Sequence, residues 1–370
     1  MLTMHPTLLV GPADWDAARL PKDEFLARIA AFWSGCDPSI GSVVIYGSPR
    51  DHAELAYLTH FTPKLEPAIA LILRAGEPRL LVGGGANMIG AAKPLTFVET
   101  LLPLRDAGQT IARWAHELGS GGLALINGGA MRFGLRQEIV AALGTSPSDV
   151  TAVVAAVMRR KSMREIALVR DACASLAAAL AAMREAHQAG RGMTDVVLAG
   201  EQAAWRRGAQ DVRSLFGRDG GLAPFTVPIA EPADPLQVYV AVRHGGYWAE
   251  GFAGLSRAAV PVLRAAQAIL DKAIGLARPG APHRDLARML ADQVPINRSL
   301  PVTHKHAGHS IGLALQEAGG LDAASDERFA AGEVYTVRVG LRDDSSAAIV
   351  SAMIAITQDA SDVLWRGDGT

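Results

Sequence analysis

The sequence predicts an α/β (α+β) fold in two domains, residues 1–150 and 151–370. Three observations lead there. The chain has 370 residues, and domains run to roughly 100–200 residues each, so two are expected. Helix and strand signals alternate up to about residue 150. Beyond that a long capped helix opens a stretch where strands come in adjacent pairs.

In the first part, Lys22 to Trp33 carries apolar residues at Phe25, Leu26, Ile29, Ala30 and Phe32, a helical spacing. Ser42 to Tyr46 is a β-branched apolar run, as in a buried strand. Leu55 to Phe61 is a further short apolar element. Ala68 to Arg74 reads as a strand and, across a Gly-containing turn, forms a hairpin with Pro78 to Val82. A helix over Thr110 to Leu118, a strand over Gly122 to Asn127 and a helix over Leu135 to Leu143 complete this domain.

The second part opens at Ser162-Met163-Arg164-Glu165, a capping box in which Ser and Glu satisfy each other's backbone N–H groups. Ile166, Val169, Ala172 and Leu176 continue the helix to about Glu185, and Gly190 and Gly192 stop it. A second helix runs from Thr194 to Arg207. Gly220 to Pro235 is rich in Pro and Gly and reads as a loop. Val238 to Val242 and Tyr247 to Leu255 are strands joined at Gly245-Gly246. Helices follow over Leu263 to Leu276 and His283 to Val294, then strands over Glu333 to Leu341 and Ala347 to Ile356.

Composition narrows the function classes. The net charge is −1 with 20% charged residues, so the basic footprint of a nucleic-acid or polybasic membrane binder is missing. Arg outnumbers Lys heavily, which with the abundant Ala reads as compositional bias. The two cysteines, Cys36 and Cys173, lie far apart, which excludes a disulfide framework and a Cys-based zinc site. No basic and apolar leader is evident, and the most apolar runs, such as Ala68 to Leu73, fall short of the roughly 20 residues of a membrane helix. A cytoplasmic protein acting on a small molecule, with no nucleic-acid or membrane partner, is the expectation.

Three passages carry a resemblance. Tyr57-Leu58-Thr59-His60-Phe61, after Arg50, is similar to a segment of the N-terminal domain of creatinases and prolidases. Arg160-Lys161-Ser162 through Glu165-Ile166 resembles that family's linker and first catalytic-domain helix. Gly308-His309-Ser310-Ile311-Gly312-Leu313, with Glu317 after it, resembles its GHxxG(L)…E signature. Arg278-Pro279-Gly280 and Gly332-Glu333-Val334-Tyr335-Thr336 fall in register with further motifs. The chain is identified as a divergent member of the creatinase/Xaa-Pro peptidase superfamily, which includes prolidase, aminopeptidase P and methionine aminopeptidase. The resemblance implies a pita-bread catalytic domain behind a smaller creatinase-type N-terminal α/β domain. It also implies a homodimer in which His60 or Arg50 reaches the partner's cleft.

Family metallopeptidases hold two metal ions on two Asp, one His and two Glu, and such hard ions want carboxylate oxygens. Matched position by position, those ligands fall here on Tyr239, Glu250, His309, Arg338 and about Ser351. Only Glu250 and His309 keep ligand chemistry. An Arg places a permanent cation where a dication would sit. The expectation is therefore no metal and no other cofactor. Creatinase, a metal-free hydrolase of C–N bonds in the same superfamily, is resembled in "GHS" and in Leu315-Gln316-Glu317. Its other catalytic His has no counterpart in Ala223 to Pro235.

Each candidate has a functional and a plain structural reading. His309 is an acid/base or a retained fold residue. His304 and His306 complete H-x-H-x-x-H with His309, either a rebuilt metal site or a solvated pair; His306 is taken here as substrate-binding. Glu317 is a catalytic carboxylate or the partner of an Arg. Glu250 is a lone acid/base between Trp248 and Phe252 or an exposed strand residue. Arg338 is a fork for a substrate carboxylate or an internal partner of Glu250. Tyr239 is a phenol donor or packing. Arg243 and His244 are read as surface residues. The leading expectation is a metal-independent, creatinase-like hydrolase of a small polar, amino-acid-like C–N substrate. His309, Glu250 and Glu317 are its catalytic candidates, and Arg338, Tyr239, His306 and His60 its binding candidates. An inactive binding or regulatory protein and an atypical Xaa-Pro metallopeptidase stand as alternatives.

Overall fold

The computed structural model describes residues 14–117, 121–218, 221–224, 227–294, 307–344 and 346–367. The chain divides into two compact units, Met1–Met158 and Arg159–Thr370.

Unit 1 runs α1 (Lys22–Ser34), β1 (Ile40–Gly47), α2 (Ala53–Thr59), β2 (Ala68–Leu73), β3 (Arg79–Val82), α3 (Met88–Ala92), β4 (Thr100–Pro103), α4 (Ala107–Glu117), β5 (Gly122–Ile126), α5 (Phe133–Leu143), β6 (Ser148–Asp149) and α6 (Thr151–Arg159). Its strands form one sheet in the order β4-β3-β2-β1-β5-β6. The β1–β2 and β2–β3 pairs are antiparallel and the others parallel. Val44, Tyr46, Ile69 and Leu71 share a face by the two-residue period and pack against Ile111 and Trp114 of α4 and Ile139 of α5. On the other side α2 packs on β1. The short element at Leu55 to Phe61 is therefore the helix α2. His60 caps it in the left-handed region, at φ +60°, with its N–H donating to the Ala56 carbonyl.

Unit 2 runs α7 (Met163–Gln188), α8 (Met193–Arg206), β7 (Asp211–Gly217), β8 (Leu236–His244), β9 (Tyr247–Leu255), α9 (Pro261–Leu276), α10 (His283–Gln293), β10 (Gly308–Ser310), β11 (Gly320–Leu321), β12 (Val334–Arg342), β13 (Ala347–Ile356) and β14 (Ser361–Arg366). Two antiparallel sheets result, β7-β8-β9 and β11-β10-β12-β13-β14. Gly245 and Gly246, at φ +58° and +87°, make the tight β8–β9 turn that a side chain would strain.

Alternation along β12 and β13 decides which residues face the three-stranded sheet. Tyr335, Val337, Val339, Val350, Ala352 and Ile354 form the core with Leu270 of α9 and Leu286 of α10. The intervening Thr336, Arg338 and Ser351 face the other way, toward the three-stranded sheet. There the main-chain N–H of Phe252 donates to Ser351 Oγ at 2.8 Å, and the N–H of Ile349 to Gln237 Oε1 at 3.0 Å. These bonds join the two sheets.

The start of α7 bears out the capping box. Glu165 N–H donates to Ser162 Oγ at 3.2 Å, and Ser162 N–H to Glu165 Oε2 at 2.9 Å. Glu165 Oε1 also accepts from Tyr247 Oη at 2.9 Å, so the cap fixes the first residue of β9. Ser162→Ala is expected to lower stability by about 1 kcal/mol, read as a drop in the urea midpoint with unchanged slope. The helix itself corrects the hydropathy reading: by length and composition α7 could cross a membrane. Its apolar face, including Ile166, Val169, Leu176 and Met183, is buried, and the helix packs on β8, β9 and α8.

Candidate functional site

The site is built on the facing sides of the two sheets. Tyr239 on β8 stands directly opposite Phe252 on β9, so Glu250, two residues earlier, shares their face. His309 on β10 stands opposite Thr336 on β12, and Arg338 opposite Ser351 on β13. Four of the residues singled out in the sequence meet here: Tyr239, Glu250, His309 and Arg338.

Glu250 is the hub. Its side chain is 3% exposed. Tyr239 Oη donates to Oε2 at 2.8 Å. Oε1 lies 3.5 Å from His309 Nε2 and has no hydrogen-bond partner among the described residues. Burial, and then the adjacent carboxylate, push the Tyr239 phenol well above its usual range, so it remains a donor. Arg338 is drawn down by burial, while Glu250 and Tyr239 act in the opposite direction. It stays charged at neutral pH. The readings of Glu250 as an exposed strand residue and of Tyr239 as mere packing both give way to this network.

His309 Nε2 sits 3.1 Å from the carbonyl oxygen of Leu315. A carbonyl only accepts, so in the neutral ring the proton is on Nε2 and the lone pair on Nδ1. Opposite it, the Thr336 hydroxyl is fully buried and without a hydrogen-bond partner among the described residues.

Glu317 is held elsewhere. Its carboxylate pairs with Lys161 Nζ, with side-chain exposures of 6% and 1%, and Oε1 accepts the Leu313 N–H at 2.9 Å. The salt-bridge alternative holds, with a lysine as partner where an arginine was expected. His60 lies in unit 1, with Nδ1 3.0 Å from the Leu95 carbonyl and its ring edge-on to Phe25. Burial lowers its pKa, so it is neutral at pH 7. His304 and His306 lie outside the described residues. Arg243 is not a surface residue: it is 9% exposed and lies 5.8 Å from the Trp248 ring centre. His244 Nδ1 is 3.0 Å from Ser175 Oγ. Thr336 and the Leu315 carbonyl went unnoticed in the sequence. Thr336 had a signal, two residues from Arg338 on one strand face, whereas a backbone carbonyl has none.

With this geometry in hand, comparison with known proteins assigns the family. Residues 149–358 match the model of metallopeptidase family M24. The chain belongs to family M24. That places it among hydrolases acting on peptide C–N bonds, with the pita-bread fold. A search of the curated proteins finds no match. Among solved structures, the chain is similar to the prolidase of Pyrococcus horikoshii OT3, with 16% identity, a TM-score of 0.76, and coverage of 94% of this chain and 99% of that one. The Xaa-Pro dipeptidase of Bacillus anthracis gives 16% identity, a TM-score of 0.75 and the same coverage. Dipeptidase PepE of Mycobacterium ulcerans gives 18%, 0.73, 95% and 97%. At these identities the likeness shows the fold.

The residues present do not fit the M24 two-metal centre. Of the five matched positions, Tyr239 is a neutral donor spent on Glu250, Ser351 Oγ takes the Phe252 N–H, and Arg338 brings a permanent cation. Among the described residues no group of three His, Cys, Asp or Glu could hold a metal ion.

Proposed function

We propose that this M24 chain is a metal-independent hydrolase that cleaves a C–N bond of a small, polar, amino-acid-like substrate, with His309 as general acid/base. The observation that carries the reading is Glu250 Oε1, a buried carboxylate oxygen without a hydrogen-bond donor beside His309 Nε2. A buried acceptor left unmade costs free energy, and a donor on the substrate would satisfy it.

The chemistry follows from the tautomer. His309 takes a proton from water at Nδ1 while the hydroxide oxygen adds to the carbon of the C–N bond. The resulting imidazolium is stabilised through Nε2–H by Glu250 and the Leu315 carbonyl, the role an orienting carboxylate plays beside a catalytic His. The same proton then passes to the leaving nitrogen as the bond breaks. Tyr239 keeps the Glu250 carboxylate oriented. Arg338 binds an anionic end of the substrate, and its planar fork suits a carboxylate.

The similar solved structures are a prolidase, an Xaa-Pro dipeptidase and a dipeptidase, so dipeptides join guanidino acids and N-substituted amino acids in the test panel. Turnover is expected to survive exhaustive dialysis against chelator, with elemental analysis showing no stoichiometric metal. Activity that appears only on adding manganese, cobalt or zinc overturns the reading. An inactive binding protein is the second reading, favoured by the three altered ligand positions; it expects saturable binding without turnover. The homodimer and cytoplasmic setting belong to the same proposal, and the former is read by sedimentation.

A further inference from the structure

The linker residue Lys161 is buried, and it is connected to the reacting groups through Glu317. Its ammonium pairs with Glu317. Glu317 in turn accepts the Leu313 N–H through Oε1 at 2.9 Å, and its own N–H donates to the Ser310 carbonyl at 2.9 Å. The segment 311–317 is thereby closed into a knot around one carboxylate. Two of its carbonyls reach the site. That of Leu315 faces His309 Nε2. That of Gly312 accepts the Trp248 N–H at 2.7 Å, on the strand that carries Glu250 two residues later. Glycine at position 312 leaves room for the Lys161–Glu317 pair. A Cβ there would stand 2.4 Å from Glu317 Oε1 and 2.7 Å from Lys161 Cε.

We propose that Lys161, through Glu317, is a positioning residue that sets the orientation of the His309 ring against Glu250. A flexible loop of this length would let the Leu315 carbonyl wander, and with it the Nε2–H that it fixes. A charge-assisted pair shielded from water holds the loop more tightly than neutral hydrogen bonds do. The functional meaning rests on the reading of His309 as proton carrier, but the geometry can be tested without turnover.

The experiment uses the full chain labelled with ¹³C-histidine, the His309 ring signal being the cross-peak absent from His309→Gln. Lys161→Met is expected to displace or broaden that cross-peak by more than its linewidth. Val350→Ala, a cavity on the helix-facing side of β13, serves as a control for general loss of stability, and is expected to leave it in place. Removing one member of a buried pair strands the other charge and can prevent folding. Lys161→Met/Glu317→Met removes both charges and is expected to fold with the signal displaced, because Leu313 N–H has lost its acceptor. An unmoved His309 signal in either folded variant overturns the proposal, as does an equal displacement in Val350→Ala. Failure of both variants to fold also overturns it, making the pair a folding determinant. If the proposed hydrolase reading fails instead, turnover will be indifferent to His309 while these spectra still change.

Discussion

His309→Gln is expected to lower turnover of the C–N substrate by about 10²–10⁴-fold, the range for loss of a general acid/base. Its melting temperature should change by only a few degrees, since roughly 1 kcal/mol moves a domain of this size by about 2–4 °C. Glutamine is the informative choice. Its amide can still donate to the Leu315 carbonyl where Nε2–H does now, so the loop keeps its anchor. What disappears is the ring nitrogen able to take up and release a proton. A rate within tenfold of the unmodified chain would show that His309 is a retained fold residue. A large loss of rate accompanied by an equally large loss of stability would point to the loop instead.

Much of the fold was legible because the physics is local. The Ser162–Glu165 cap, the Gly245-Gly246 turn and the alternating runs of β12 and β13 each carry their cause within a few residues. Strand β7 was not legible: Asp211 and Arg213 are polar and no residue before Phe216 is buried, so no apolar run marks it. Strand β10 has three residues and exists through its pairing with β12, not through propensity. In the site, the motif positions came together because the two-residue period of a strand fixes the faces of Tyr239, Glu250 and Arg338. The partner of Glu317 could not be read, since Lys161 lies 156 positions away and any of many cations would have served on paper.

The altered centre has an electrostatic logic. A buried carboxylate needs a compensating positive charge. Where family members would bring one as metal, this chain has Arg338 built into β12, whose guanidinium and Glu250 attract each other. A metal centre also supplies open coordination positions. Arg338 supplies hydrogen-bond donors in a fixed plane instead, which favours binding and orienting an anion over polarising it. In the proposed reading, Glu250 Oε1 and Thr336 Oγ1, both without hydrogen-bond partners among the described residues, would be open to polar groups of a bound molecule.

Arg159→Met is expected to cost about 3–5 kcal/mol at neutral pH, the cost of stranding one side of a buried ion pair. Its Nη2 lies 3.0 Å from Glu333, which is 5% exposed, and its Nη1 lies 2.9 Å from Glu327. Tyr335 Oη donates to Glu333 at 3.0 Å and lies 3.3 Å from His283 Nε2. His283 is fully buried, with its pKa lowered first by burial and further by Arg159, while Glu333 and Glu327 oppose the shift. A histidine whose folded pKa is below its unfolded value of about 6.5 supports stability above that pH. The support is lost as the pH falls through the folded value. Deleting the Arg159 charge removes one lowering cause and leaves both glutamates, so His283 should bind its proton more readily in the folded variant. The stability gap between the unmodified chain and Arg159→Met should therefore narrow between pH 7.5 and pH 5.5, by up to about 1.4 kcal/mol per pH unit for one proton. Urea titrations across that range measure it. In Arg159→Met/His283→Gln the narrowing should vanish; if it persists, the assignment to His283 is wrong.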